Sequence, residues 1–151
     1  MSAPSPLRGI AQLNISADDV GEARDWYARF LGVDPYFQRP DAENPAYVEF
    51  RLGDHGDEFG IIDRSYLPST SPIEPGGAIA RWHVDDIVAT VDRLKELGAR
   101  EYEPVMERGE GFVTASVVDP FGNVLGLIHS PHYLESLAAA TRRAPEHGTA
   151  L

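Results

Sequence analysis

Two stretches of the chain share one pattern of apolar and polar positions. Ile15-Ser16-Ala17-Asp18-Asp19-Val20 returns as Trp82-His83-Val84-Asp85-Asp86-Ile87. Each copy follows an apolar-rich stretch and runs into a helical pattern closed by Leu-Gly, at Leu31-Gly32 and at Leu97-Gly98. Val20, Ala23, Tyr27, Phe30 and Leu31 recur at the spacing of one helix face, as do Ile87, Val91, Leu94 and Leu97. Asp19 and Asp86 stand where N-caps belong, and Glu22 completes a capping box with Asp19. Gly32 is placed to end the first helix.

Shorter runs around the helices read as strands. In the first unit these are Arg8 to Ser16, Tyr36 to Arg39, Ala46 to Gly53 and Glu58 to Asp63. Within them Tyr47-Val48-Glu49-Phe50-Arg51-Leu52 alternates as a half-buried strand does. In the second unit they are Ile79 to Val84, Glu101 to Met106, Phe112 to Val118 and Val124 to His129. Arg108-Gly109-Glu110-Gly111 and Asp119-Pro120-Phe121-Gly122-Asn123 supply turn chemistry. The pattern is β-α-β-β-β, twice. Module one spans residues 7–64. A linker over 65–78 carries Pro68, Pro72, Pro75, Gly76 and Gly77. Module two spans 79–132. A terminal helix is expected over 133–143 and a fraying tail over 144–151. A chain of 151 residues holds one sizeable core, so both modules are expected to share it within one domain, 7–132.

Composition narrows the function classes. A formal charge of −11 argues against nucleic acid as a partner. No apolar run approaches the roughly 18 residues that span a bilayer, so no membrane partner is expected. Met1 to Pro6 lacks the features of a signal peptide. Cysteine is absent, which excludes disulfides and thiolate ligands and suits a cytoplasmic location.

The duplicated module, Val84-Asp85-Asp86-Ile87 and Asp119-Pro120-Phe121-Gly122-Asn123 before the last strand together resemble the vicinal oxygen chelate superfamily. That group includes glyoxalase, extradiol dioxygenases, methylmalonyl-CoA epimerase and bleomycin-resistance proteins. The resemblance runs over roughly residues 8 to 132. It implies an α+β fold in which two βαβββ modules form curved mixed sheets around a cleft. It also implies, in the metal enzymes of the group, ligands on the first and last strands of each module. In this sequence those positions fall at Gln12, at Gly60 or Ile61, at Ile79 and at Gly126. Only Gln12 carries a donor, and a catalytic metal needs about three protein ligands. The expectation is therefore no metal and no cofactor.

Strand alternation then fills the cleft. If Ile79 faces it, so do Arg81 and His83; if Gln12 does, so do Asn14 and Ser16. Gly126 and Ile128 join on the last strand. The expected ligand-binding set is Gln12, Asn14, Ser16, Ile79, Arg81, His83, Gly126 and Ile128, an apolar pocket with a few polar groups. Arg81 could hold a carboxylate or phosphate. His83 is the candidate catalytic residue, as base or donor. The bland alternative for Arg81 and His83 is a hydrogen-bonded pairing with Glu or Asp that does no chemistry. His55 in a Gly-rich turn and His147 in the tail read as solvated; His129 and His132 could cap a strand and a helix. Glu49 and Arg51 share a strand face. Three functions follow: a metal-free protein of the bleomycin-resistance type binding an unidentified small molecule; an enzyme of the same superfamily, a lyase or isomerase with or without a divalent metal; or a non-catalytic dimeric subunit. A homodimer is expected in each.

Overall fold

The Asp-Asp repeat caps both helices. Asp19 accepts from the Glu22 amide at 2.9 Å and Asp86 from the Ala89 amide at 3.0 Å, each contact satisfying a donor that the first turn leaves open. Gly32 closes the first helix in the left-handed region, at φ 70°, where a residue without Cβ is unstrained.

The computed structural model describes residues 5–72 and 74–143. The expected tail 144–151, with His147, lies outside them. The order is β1 (Gln12–Ala17), α1 (Val20–Leu31), β2 (Phe37–Arg39), β3 (Tyr47–Leu52), β4 (Asp57–Asp63), a single 3₁₀ turn (Arg64–Tyr66), β5 (Arg81–His83), α2 (Ile87–Glu96), β6 (Arg100–Gly109), β7 (Phe112–Val118), β8 (Val124–His129) and α3 (Pro131–Arg143). Two four-stranded mixed sheets result, ordered β1-β4-β3-β2 and β5-β8-β7-β6. In each, the strand before the helix lies parallel to the last strand of its module. The sheets do not close into one. No described helix is long and apolar enough to cross a membrane.

Some strands differ from the pattern in length. β1 starts at Gln12 rather than Arg8, because its partner β4 runs alongside only from Glu58, opposite Gln12. β5 keeps three residues of the expected six, since β8 pairs with it only over Gly126 to Ile128. β6 extends through Arg108 and Gly109, leaving Glu110 and Gly111 to make the turn at φ 53° and 86°.

Alternation gives each sheet an apolar and a polar face. Val48, Phe50, Phe59 and Ile61 of the first sheet and Ala115, Val117, Leu125 and Leu127 of the second are buried in one continuous core with Val20, Ala23, Trp26 and Tyr27 of α1 and Ile87, Val91 and Leu94 of α2. The modules thus share their apolar faces, and the opposite faces, carrying Gln12 and Arg81, point away from that core. Polar contacts weld the join. Tyr27 donates to Asp119 at 2.5 Å and the Trp26 indole to the Leu97 carbonyl at 2.7 Å. Asn123 bonds Ser16 twice, accepting from its amide at 3.2 Å and donating to its carbonyl at 2.8 Å.

Candidate functional site

The polar face of module one is built by register. Gln12 lies opposite Glu58 and Asn14 opposite Gly60, while Glu49 flanks Gly60 from β3. Gln12 donates to the Tyr47 hydroxyl at 2.6 Å, Tyr47 donates to Glu49 at 3.2 Å, and Asn14 donates to Gln12 at 3.2 Å. Burial first, then the Glu49 carboxylate, push the Tyr47 phenol up to about 12, so it stays protonated and can donate. Glu49 is 9% exposed with Arg51 3.7 Å away, and the Arg51 guanidinium sits 3.9 Å over the Tyr36 ring.

On the polar face of module two, Arg81 forks onto Glu103 at 3.0 and 3.3 Å and reaches the Ala115 carbonyl at 3.1 Å. Buried Ser116 donates to the same carboxylate at 2.6 Å. That bond, and after it Arg81, hold Glu103 below the usual carboxylate range against the opposing pull of partial burial. His83 accepts from the Ser130 amide through Nδ1 at 3.1 Å, which assigns its proton to Nε2. Nε2 lies 3.2 Å from Asp85, and the ring stacks on Tyr133 at 4.7 Å and 9°. Arg81 and His83 therefore both have acidic partners, the arrangement set out above as the alternative to chemistry.

Six of the eight expected ligand-binding residues are distributed among three recesses. Arg81, His83 and Ile128 line one of about 500 Å³ with Asp54, Asp57 and Tyr133. Gln12 and Arg81 line a second of about 380 Å³ with Asp57, Glu58 and Trp82. Asp57, Arg81 and Trp82 are common to both, so these two are lobes of one cleft along β5. Asn14 and Ser16 line a third, with Arg64 and Asn123. Ile79 and Gly126 face each other, leaving no room between them: a Cβ on Gly126 would stand 2.7 Å from Ile79 Cγ2 and collide with the Ala80 carbonyl. Of the other histidines, His129 bonds the Val84 carbonyl at 3.0 Å through Nδ1, and His55 lies in an exposed turn.

The positions at which the fold's metal enzymes carry donors do not fit a metal here. Gly60, Ile79 and Gly126 have none. At Gly60 a Cβ would overlap Asn14 Oδ1 and stand 2.8 Å from the Tyr47 hydroxyl, so neighbouring polar groups fill the place of a ligand. The Gln12 amide is tied to Tyr47 and Asn14. Among the described residues, no three His, Cys, Asp or Glu side chains gather where they could hold an ion.

Tyr47, Glu58, Trp82, Glu103 and Ser116 were not expected at the site. Tyr47 was within reach, since it shares strand parity with Glu49 and Arg51. Glu103 was not, because its tie to Arg81 crosses two intervening strands.

A model of the Glyoxalase/Bleomycin resistance protein/Dioxygenase superfamily matches residues 9–127. No curated protein matches the chain. A glyoxalase-related enzyme from Fulvimarina pelagi superposes with TM-score 0.65 at 17% identity, over 83% of this chain and 90% of that one. A member of the same superfamily from Sphaerobacter thermophilus gives 0.63 at 21%, over 81% and 97%. A gene product of Arabidopsis thaliana gives 0.58 at 25%, over 80% and 96%.

Proposed function

This chain belongs to the glyoxalase/bleomycin resistance protein/dioxygenase superfamily, and we propose that within it the protein binds a small molecule without a metal. The observation that carries this reading is the loss of donors at Gly60, Ile79 and Gly126, with Asn14 and Tyr47 packed into the space at Gly60. The cleft along β5 is the binding site. Asp54, Asp57 and Glu58 give it an acidic wall and Trp82 an aromatic one, so the ligand carries a cationic or aromatic group. The Arg81 guanidinium is taken up by Glu103 and the Ala115 carbonyl, so it serves the sheet rather than capturing an anion. The functional form is a homodimer. β1 and β5 each pair on one edge only, and open edges invite a partner strand.

Metal content of the purified protein, with thermal shift before and after chelator, tests the reading. We expect less than about a tenth of an equivalent and no chelator effect. Stabilisation by aromatic amines, and not by small carboxylates, is expected next. About one equivalent of Ni, Zn, Mn or Fe, lost with a large fall in melting temperature, would sink it. Light scattering on the eluting peak reads the dimer.

A further inference from the structure

A cavity of about 180 Å³ lies on the apolar side of β5, between the end of α1 and the core face of the second sheet. Tyr27, Phe30, Phe59, Trp82, Leu125 and Leu127 form its walls, and Leu31, Leu52 and Val84, all half-buried, surround its mouth. The polar atoms that reach it are already engaged. The Tyr27 hydroxyl is held by Asp119, and burial, then Asp119, push that phenol well above its ordinary range. His83 reaches the rim with both ring nitrogens bonded.

We propose that this cavity is a binding site for a single-ring apolar molecule, separate from the polar cleft. Three observations support it. The first is size: an apolar cavity of about 150 Å³ lined by Leu, Ile and Phe stays dry and admits benzene. The second is the scarcity of side-chain anchors for water, which needs two to four polar partners: the Tyr27 hydroxyl and the His83 ring nitrogens are already bonded. The third is the lining. Tyr27 and Phe59 lie 5.1 Å apart, and Phe59 and Trp82 meet edge to face at 5.9 Å and 89°. A guest ring would extend that run of tilted and edge-to-face ring contacts. Trp82 and His83 line both the apolar cavity and the acidic cleft and stand between them. The ligand class is therefore a small uncharged aromatic, with no group that requires a hydrogen bond.

Toluene, titrated into the full chain, is the probe. A saturable rise in melting temperature of a few degrees is expected, with magnetisation transfer from toluene protons to the methyls of Leu52 and Leu127. Imidazole, similar in size but polar, produces neither. Val84→Phe and Leu52→Phe each place a ring in the mouth, and each weakens toluene by about tenfold or more in protein that keeps its circular dichroism spectrum. The transfer experiment on the unmodified chain decides the matter if both variants misfold. No saturable shift, transfer only to exposed side chains such as Tyr102 and Val105, or undiminished binding by the filled variants would each overturn the proposal.

Discussion

The two modules reach one outcome by different routes. Each lacks a side chain at the equivalent place on its last strand, Gly60 in β4 and Gly126 in β8. At Gly60 the crowding comes from side chains, Asn14 and Tyr47, which can turn aside. At Gly126 it comes from the backbone carbonyl of Ala80 and from Ile79, and backbone cannot turn aside without unpairing β5. The polar faces diverge in the same sense. Module one carries a hydrogen-bonded chain of amide, phenol and carboxylate with Arg51 at its end, and module two a closer ion pair fastened by a buried serine. A repeated fold thus keeps its register while the chemistry on its surface drifts, and the tolerance of each position depends on whether backbone or side chain is the neighbour.

Substitution at the two glycines tests this contrast most directly. Gly126→Ala should cost about 3 kcal/mol in denaturant unfolding, because overpacking against backbone shifts a strand. Gly60→Ala should cost about 1 kcal/mol, and less still in an Asn14→Ala background, a coupling that a double-mutant cycle measures. Equal penalties at the two sites would end the comparison.

The ion pair predicts a smaller effect with a pH signature. The Glu103 carboxyl is held below its usual range, so the unfolded chain takes up its proton more readily than the folded one. The tie therefore contributes stability above the ordinary carboxylate range and loses it as pH falls through the lower folded value. Arg81 and Glu103 are a quarter to a third exposed, so screening limits Glu103→Gln to about 1 kcal/mol at neutral pH. The gap to the unsubstituted protein should close on acidification. Tyr133→Phe is the mildest change. It removes the 2.7 Å bond to Asp54 at about 0.5 kcal/mol, and is read as faster amide exchange in α3, a helix that buries no residue.

The fold was legible because its signals are local. Asp19 and Asp86 announce helix starts, Gly32 a stop, and alternation in Tyr47 to Leu52 a strand, each within a few residues of its cause. The site was legible only as far as parity reaches. Parity puts Gln12 beside Asn14, which bond each other, and Arg81 beside His83, which line one recess. It could not show that the two sheets turn those residues away from a common core, nor that Asn14 and Ser16 open onto a different recess. The partners of Arg81 are similarly hidden, since Glu103 and the Ala115 carbonyl reach it only after β6, β7 and β8 have taken their order in the sheet. Strand ends were set by the neighbour as well, as the shortened β1 and β5 show.

Asn123 bonds the amide and the carbonyl of Ser16, as a residue of an adjoining strand would, from a turn that Asp119 braces through the amides of Phe121 and Asn123. This side chain adds to the shared core and to the Tyr27 and Trp26 bonds that make the two halves melt together. Without it the halves keep their own sheets and helices but lose part of what couples their equilibria. Asn123→Ala should therefore broaden thermal unfolding, and the van't Hoff enthalpy should fall below the calorimetric one, the mark of two cooperative units where there had been one.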